Sequence, residues 1–122
     1  MSKNTFSISG DKIYITRPEW NYMACAAVRA DYAEEIQNAT WGLNNGRYLY
    51  NQKLGYLHAY IMKKWYGEDV CQSMKEQDFV IDHMDNNSTN CCIDNLCFYQ
   101  MHIIRRKDLH LIRKMRTKDL LH

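Results

Sequence analysis

Residues 79–99 constrain this chain most. Phe79-Val80-Ile81 has the make-up of a short buried strand, and it runs directly into Asp82-His83. Residues 84–94 are polar, rich in Asn, Ser and Cys, and such a stretch disfavours regular structure. Asn95 follows, and Leu96 to Tyr99 returns as a second strand. From about Gln100 to Leu120 the apolar residues Ile103, Ile104, Leu111, Ile112 and Met115 recur near helical spacing. The order expected over this half is therefore strand, loop, strand, helix, with an acid and an imidazole side by side at the mouth of the loop.

Upstream, Phe6 to Ser9 and Lys12 to Thr16 alternate around Gly10-Asp11 and predict a β-hairpin. Met23 to Val28 suits a third strand or the start of a helix. Asp31 to Ala39 is helix-like, with Asp31 placed to cap it or to favour its N-terminal dipole end. Trp41-Gly-Leu-Asn-Asn-Gly46 followed by Arg47-Tyr-Leu-Tyr50 predicts a second hairpin, because Asn-Gly supplies the positive φ angles of a tight turn. Gly55 to His58 leads into an apolar-periodic run through Tyr66 that Gly67 ends.

The chain has 122 residues, the size of one core, and neither a Ser/Gly-rich linker nor an internal repeat divides it. A single α+β domain over 1–122 is expected, with hairpins and a helix in 1–78 and the strand-loop-strand-helix core in 79–120. No apolar stretch approaches a membrane span and no apolar leader follows the first residue, so the expectation is a cytoplasmic protein. Five cysteines, an odd count with Cys91 and Cys92 adjacent, argue against a secreted disulfide framework. Net charge is +2, but it is unevenly spread: residues 1–98 hold 9 Lys/Arg against 12 Asp/Glu, and residues 99–122 hold 7 against 2. That basic end suits phosphate contacts, with a solvated surface as the plain alternative.

Hydrolysing a phosphodiester requires a deprotonated water, neutralisation of charge developing on phosphate, and help for the leaving oxygen. A divalent metal can supply the last two, and an imidazole titrating near neutrality is a natural base for the first. Asp82-His83, Asp85-Asn86-Asn87 and Asn95-Leu96, with His83 and Asn95 twelve residues apart, resemble the signature of the HNH (ββα-metal) nucleases. Trp41 to Tyr48 and Tyr56-Leu57-His58 resemble the segments that precede this motif in phage and mobile-intron members. The likeness runs in order over about residues 10–104.

This resemblance implies a ββα-metal core ending in a basic C-terminal helix, and metal-dependent cleavage or nicking of DNA. It implies His83 as the general base, Asp82 as a metal ligand for Mg²⁺ or Mn²⁺, and Asn95 as the residue that spans the loop and orients the base. His58 is a supporting residue near the scissile phosphate, or a structural one. Arg105, Arg106, Lys107, Arg113 and Lys114 are the expected phosphate contacts. Specificity would be low or supplied by a protein partner, a homodimer would turn paired nicks into a double-strand break, and a phage origin would place the protein in the host cytoplasm.

Two departures from the pattern stand out. Ala59 replaces the usual Arg after His58, and Ile104, which cannot ligate, occupies the position of the second metal ligand. His102 takes that role only if the junction before the helix is two residues shorter, since two helical positions differ by about 200° around the axis. These departures favour a second reading from a different class. In it the chain is a weakly active or inactive binding protein, either a DNA-binding module or an inhibitor of a host nuclease or defence protein. A structural Zn²⁺ on Cys91, Cys92 and Cys97, with Cys71 or His102, is a third reading that lacks paired Cys-x-x-Cys spacing.

Overall fold

The computed structural model describes residues 3–103 and 112–116. Strands β1 (Thr5–Ser9) and β2 (Lys12–Thr16) form the first hairpin, turning at Gly10 with φ +62°. The small apolar run after it is strand, β3 (Ala24–Ala27), antiparallel to β2. Helix α1 (Ala33–Asn38) is shorter than the sequence suggests. Tyr32 stands at its N-cap without a side-chain capping bond, and Asp31 instead pairs with Arg29 at 3.4 Å, so the expected Asp31 cap is not formed.

The second hairpin is β4 (Gly42–Asn44) and β5 (Tyr48–Asn51), and β6 (Gly55–Tyr56) extends it to a three-stranded sheet. Its turn residues Asn45 and Gly46 have φ of 56° and 69°, the left-handed pair that the Asn-Gly signal implies. Helix α2 (Leu57–Tyr66) follows at once, burying Leu57, Tyr60, Ile61 and Met62. Gly67, at φ +92°, caps it through its N–H to the Lys63 carbonyl at 2.9 Å, and a further helix α3 (Glu68–Glu76) starts there.

Strand β7 (Phe79–His83) and strand β9 (Leu96–Ile103) pair antiparallel, with Phe79 opposite Gln100 and His83 opposite Leu96. The polar stretch between them is more ordered than its composition suggests. It contains β8 (Asn90–Cys91), which joins the first sheet in parallel with β3, and a 3-10 turn over Ile93–Asn95. The strand order is β1-β2-β3-β8 in one sheet and β4-β5-β6 in another.

Where helical spacing predicts a helix over about 100–120, the described residues are strand. Residues 100–103 continue β9, and β10 (Ile112–Arg116) pairs antiparallel with it, giving the order β10-β9-β7. Met101 and Ile103 alternate with Gln100 and His102, a period of two that edge pairing with β7 and β10 selects over the helical period. Residues 104–111 and 117–122, which include Arg105, Arg106 and Lys107, lie outside the described residues.

One cluster of buried side chains ties these parts together. It draws Ile13 and Ile15 from β2, Ile36 from α1, Trp41, Leu49 from β5, Leu57 and Ile61 from α2, and Leu96 and Phe98 from β9. The result is a small mixed α+β fold in which α2 lies against β3, β5 and the 84–95 loop. No helix among the described residues is long and apolar enough to cross a membrane.

Candidate functional site

Along β7 successive side chains alternate between faces. Phe79 and His83 fall on the buried face, with His83 only 7% exposed, while Val80 and Asp82 fall on the other. His83 is therefore held by the strand itself at the point where the ladder ends and the loop begins. Its ring sits among other rings: His58, at the start of α2, lies 5.2 Å away edge-on, and Tyr48 of β5 lies 5.9 Å away. Tyr48 and Tyr56 also flank His58, at 5.3 and 5.4 Å.

This apolar enclosure sets the charge state of both imidazoles. Burial pushes His58 down to about 4, and the neighbouring His83 adds to the shift. Burial also lowers His83, partly offset by the Asp82 and Asp85 carboxylates. Cys91 adds a neutral contact, its sulfur 3.9 Å from His83 Nε2, and complete burial raises that thiol far enough to keep it protonated. His58 Nδ1 is buried with no hydrogen-bond partner among the described residues.

The sign of the His58 shift gives a stability prediction. The unfolded chain takes up a proton near 6.5, whereas the folded chain resists it until about 4. Folding stability is therefore complete above 6.5 and declines as pH falls through that window. His58→Gln is expected to flatten the fall, as checked by urea midpoints measured between pH 4 and 7.

The loop that closes the site is stapled by Asn95, which is 9% exposed. Its Oδ1 accepts the Asp85 N–H at 3.1 Å, and its Nδ2 donates to Asp85 Oδ1 and to the Asn90 carbonyl, both at 2.9 Å. Its own carbonyl accepts the Met84 N–H at 2.8 Å. Asn90 Nδ2 and the Asn87 N–H complete the ring of donors around Asp85. Desolvation raises Asp85, but these hydrogen bonds outweigh it and hold the carboxyl below its usual range. Asn86, with φ of 62°, takes the left-handed corner that Asn tolerates. The Ser88 hydroxyl donates to the Arg47 carbonyl, anchoring the loop on the Asn45-Gly46 hairpin.

Asn95→Ala removes three side-chain hydrogen bonds that tie the loop together, so a loss of about 1–2 kcal/mol is expected. Urea unfolding checks it.

Of the residues singled out in the sequence, the fold brings together His83, Asn95 and His58. It does not bring His102 to Asp82. Asp82 is opposite Cys97 in the β7–β9 register, and His102 lies five residues further along β9, roughly 16 Å away. Metal ligands sit about 2 Å from a shared ion, so this register gives Asp82 and His102 no common centre. Among the described residues no three His, Cys, Asp or Glu side chains converge as a metal site. Asp85 is already engaged by Asn87, Asn90 and Asn95. Arg113 and Lys114 lie on β10, opposite His102 and Met101.

The roles of Tyr48 and Cys91 beside His83 were not legible in the sequence. Tyr48 follows the Asn-Gly turn and reads as core, and Cys91 reaches His83 only because β8 pairs with β3. No protein-family model, curated protein or solved structure matches this chain.

Proposed function

We propose that this chain is a phosphodiester-cleaving protein of the HNH type, with DNA as substrate and His83 as general base. The observation that carries this reading is His83 presented by the end of β7 as a neutral imidazole, beside a loop that Asn95 staples shut. A neutral ring can take the proton of an attacking water at physiological pH without first losing one of its own. Asn95 acts through the loop: by fixing Asp85 and Met84 it fixes the backbone that leaves His83, and it is a positioning residue. Arg47, exposed beside the loop anchor and 5.5 Å from the Tyr48 ring, is placed to meet a phosphate.

A divalent ion such as Mg²⁺ or Mn²⁺ would stabilise the leaving oxygen in this chemistry. In the β7–β9 register Asp82 stands opposite Cys97, five residues from His102, so Asp82 would hold such an ion without His102. Weak turnover is the consequence. The same mismatch favours the second reading, a fold that binds DNA or a defence protein without cutting.

Conversion of supercoiled plasmid to open circles by the purified chain, with Mg²⁺, with Mn²⁺ and with chelator, separates the two readings. Nicking supports the enzyme. A gel shift without nicking under every metal supports the binder and overturns the enzyme.

A further inference from the structure

The site does not use Cys25 and Cys92, yet they form the closest thiol contact described in the molecule. Cys25 lies on β3 and pairs in register with Asn90 of β8, so their side chains share a face. Cys92 follows two residues after Asn90 and falls on that same face, bringing its sulfur 3.4 Å from that of Cys25. Both cysteines are reduced. Asn90 Oδ1 organises the pair, accepting the Cys25 thiol at 3.2 Å and the Cys92 N–H at 3.3 Å. Asn90 Nδ2 is in turn committed to Asp85, so the dithiol and the loop of the candidate site share one amide.

We propose that Cys25 and Cys92 are a reversible disulfide site, oxidised by hydroperoxides, whose closure ties the 84–95 loop covalently to β3. A disulfide needs a sulfur separation of about 2.05 Å, so the two sulfurs must close by about 1.4 Å. Cys25 is the attacking thiol because it is half-buried and reachable, whereas Cys92 is only 5% exposed. Charge supports the same order: a hydrogen bond from Cys92, helped by Lys12, draws Cys25 below the usual thiol range, and that bond drives Cys92 upward.

In the first step Cys25, having given its proton to solvent, attacks the peroxide. An S–O bond forms, the O–O bond breaks, and the departing hydroxide takes a proton to become water. In the second, the Cys92 sulfur attacks the Cys25 sulfenic acid. The S–S bond forms, the S–O bond breaks, and the leaving hydroxide takes the Cys92 proton as a second water. Two electrons pass from the two sulfurs to the peroxide. Cys91, on the opposite face against His83, has no part in it.

The test is hydrogen peroxide treatment of the full-length chain, followed by intact mass and non-reducing peptide mapping. Expected are loss of two hydrogens, a Cys25–Cys92 linked peptide, full reversal by dithiothreitol, and a rise in Tm of about 5–10 °C for a crosslink closing this long a loop. Cys92→Ser is expected to stop the reaction at a Cys25 sulfenic acid that dimedone traps. Linkage of any other pair, oxygen adducts on Cys25 with Cys92 still reduced, or no reaction at either residue would overturn the proposal. None of these outcomes depends on whether the chain cleaves DNA.

Discussion

His83→Ala is expected to lower the rate of plasmid nicking by about two to four orders of magnitude, the range that a positioned general base contributes. The substitution removes the imidazole at the end of β7, and no other titrating group takes its place. His58, 5.2 Å away, is held near 4 by burial and is correspondingly a poorer base. Asp85 is fixed by Asn87, Asn90 and Asn95, and its carboxyl is held too low to serve. Circular dichroism should confirm an intact fold, because β7 keeps its backbone pairing with β9. A rate within threefold of wild type would remove His83 from the mechanism.

Trp41→Ala carries the largest expected stability effect. The indole is fully buried and its Nε1 donates to the Ile36 carbonyl at 3.0 Å, at the end of α1. Its backbone also collects the N-terminal part of the molecule: the Trp41 N–H donates to Asn4 Oδ1, and its carbonyl accepts from Asn4 Nδ2 and from Arg17. Truncation leaves a ring-sized cavity in the core and removes one of the two donors to the Ile36 carbonyl, which keeps the Ala39 N–H. A loss of about 3–5 kcal/mol is expected in urea unfolding followed by circular dichroism. A loss under 1 kcal/mol would mean that the core collapses around the missing ring and that Trp41 does not organise it.

The turns were the most legible part of this chain. Gly10, Asn45-Gly46 and Gly67 all stand at positive φ where the sequence places a turn or a helix end, because few residues other than Gly and Asn reach that region without strain. Strand β7 was legible for another reason: three apolar residues run into polar ones with no helical repeat around them. Helix α3 was not. It buries no residue fully, and its only half-buried apolar side chains are Cys71 and Met74, too sparse a stripe to announce a helix.

The described part of the C-terminal segment is strand against its helical spacing because its apolar residues fit two periods, and pairing with β7 and β10 decides between them, which no local pattern contains. In the site, His83 and Asn95 were visible as a spaced pair. The Cys91 contact depends on β8 meeting β3 across 65 residues, a contact of two register pairs that leaves no mark in the sequence.

The pH dependence of single-turnover nicking by the wild-type chain shows whether His83 is the base. Burial lowers His83 below its ordinary 6.5, so its neutral, proton-accepting form already dominates at pH 7. The rate is expected to be flat above 6.5 and to fall on the acid side with a one-proton slope, the slope disappearing together with the activity in His83→Ala. A rate still climbing steadily through pH 7 to 9, or an acid limb that survives the substitution, would contradict it.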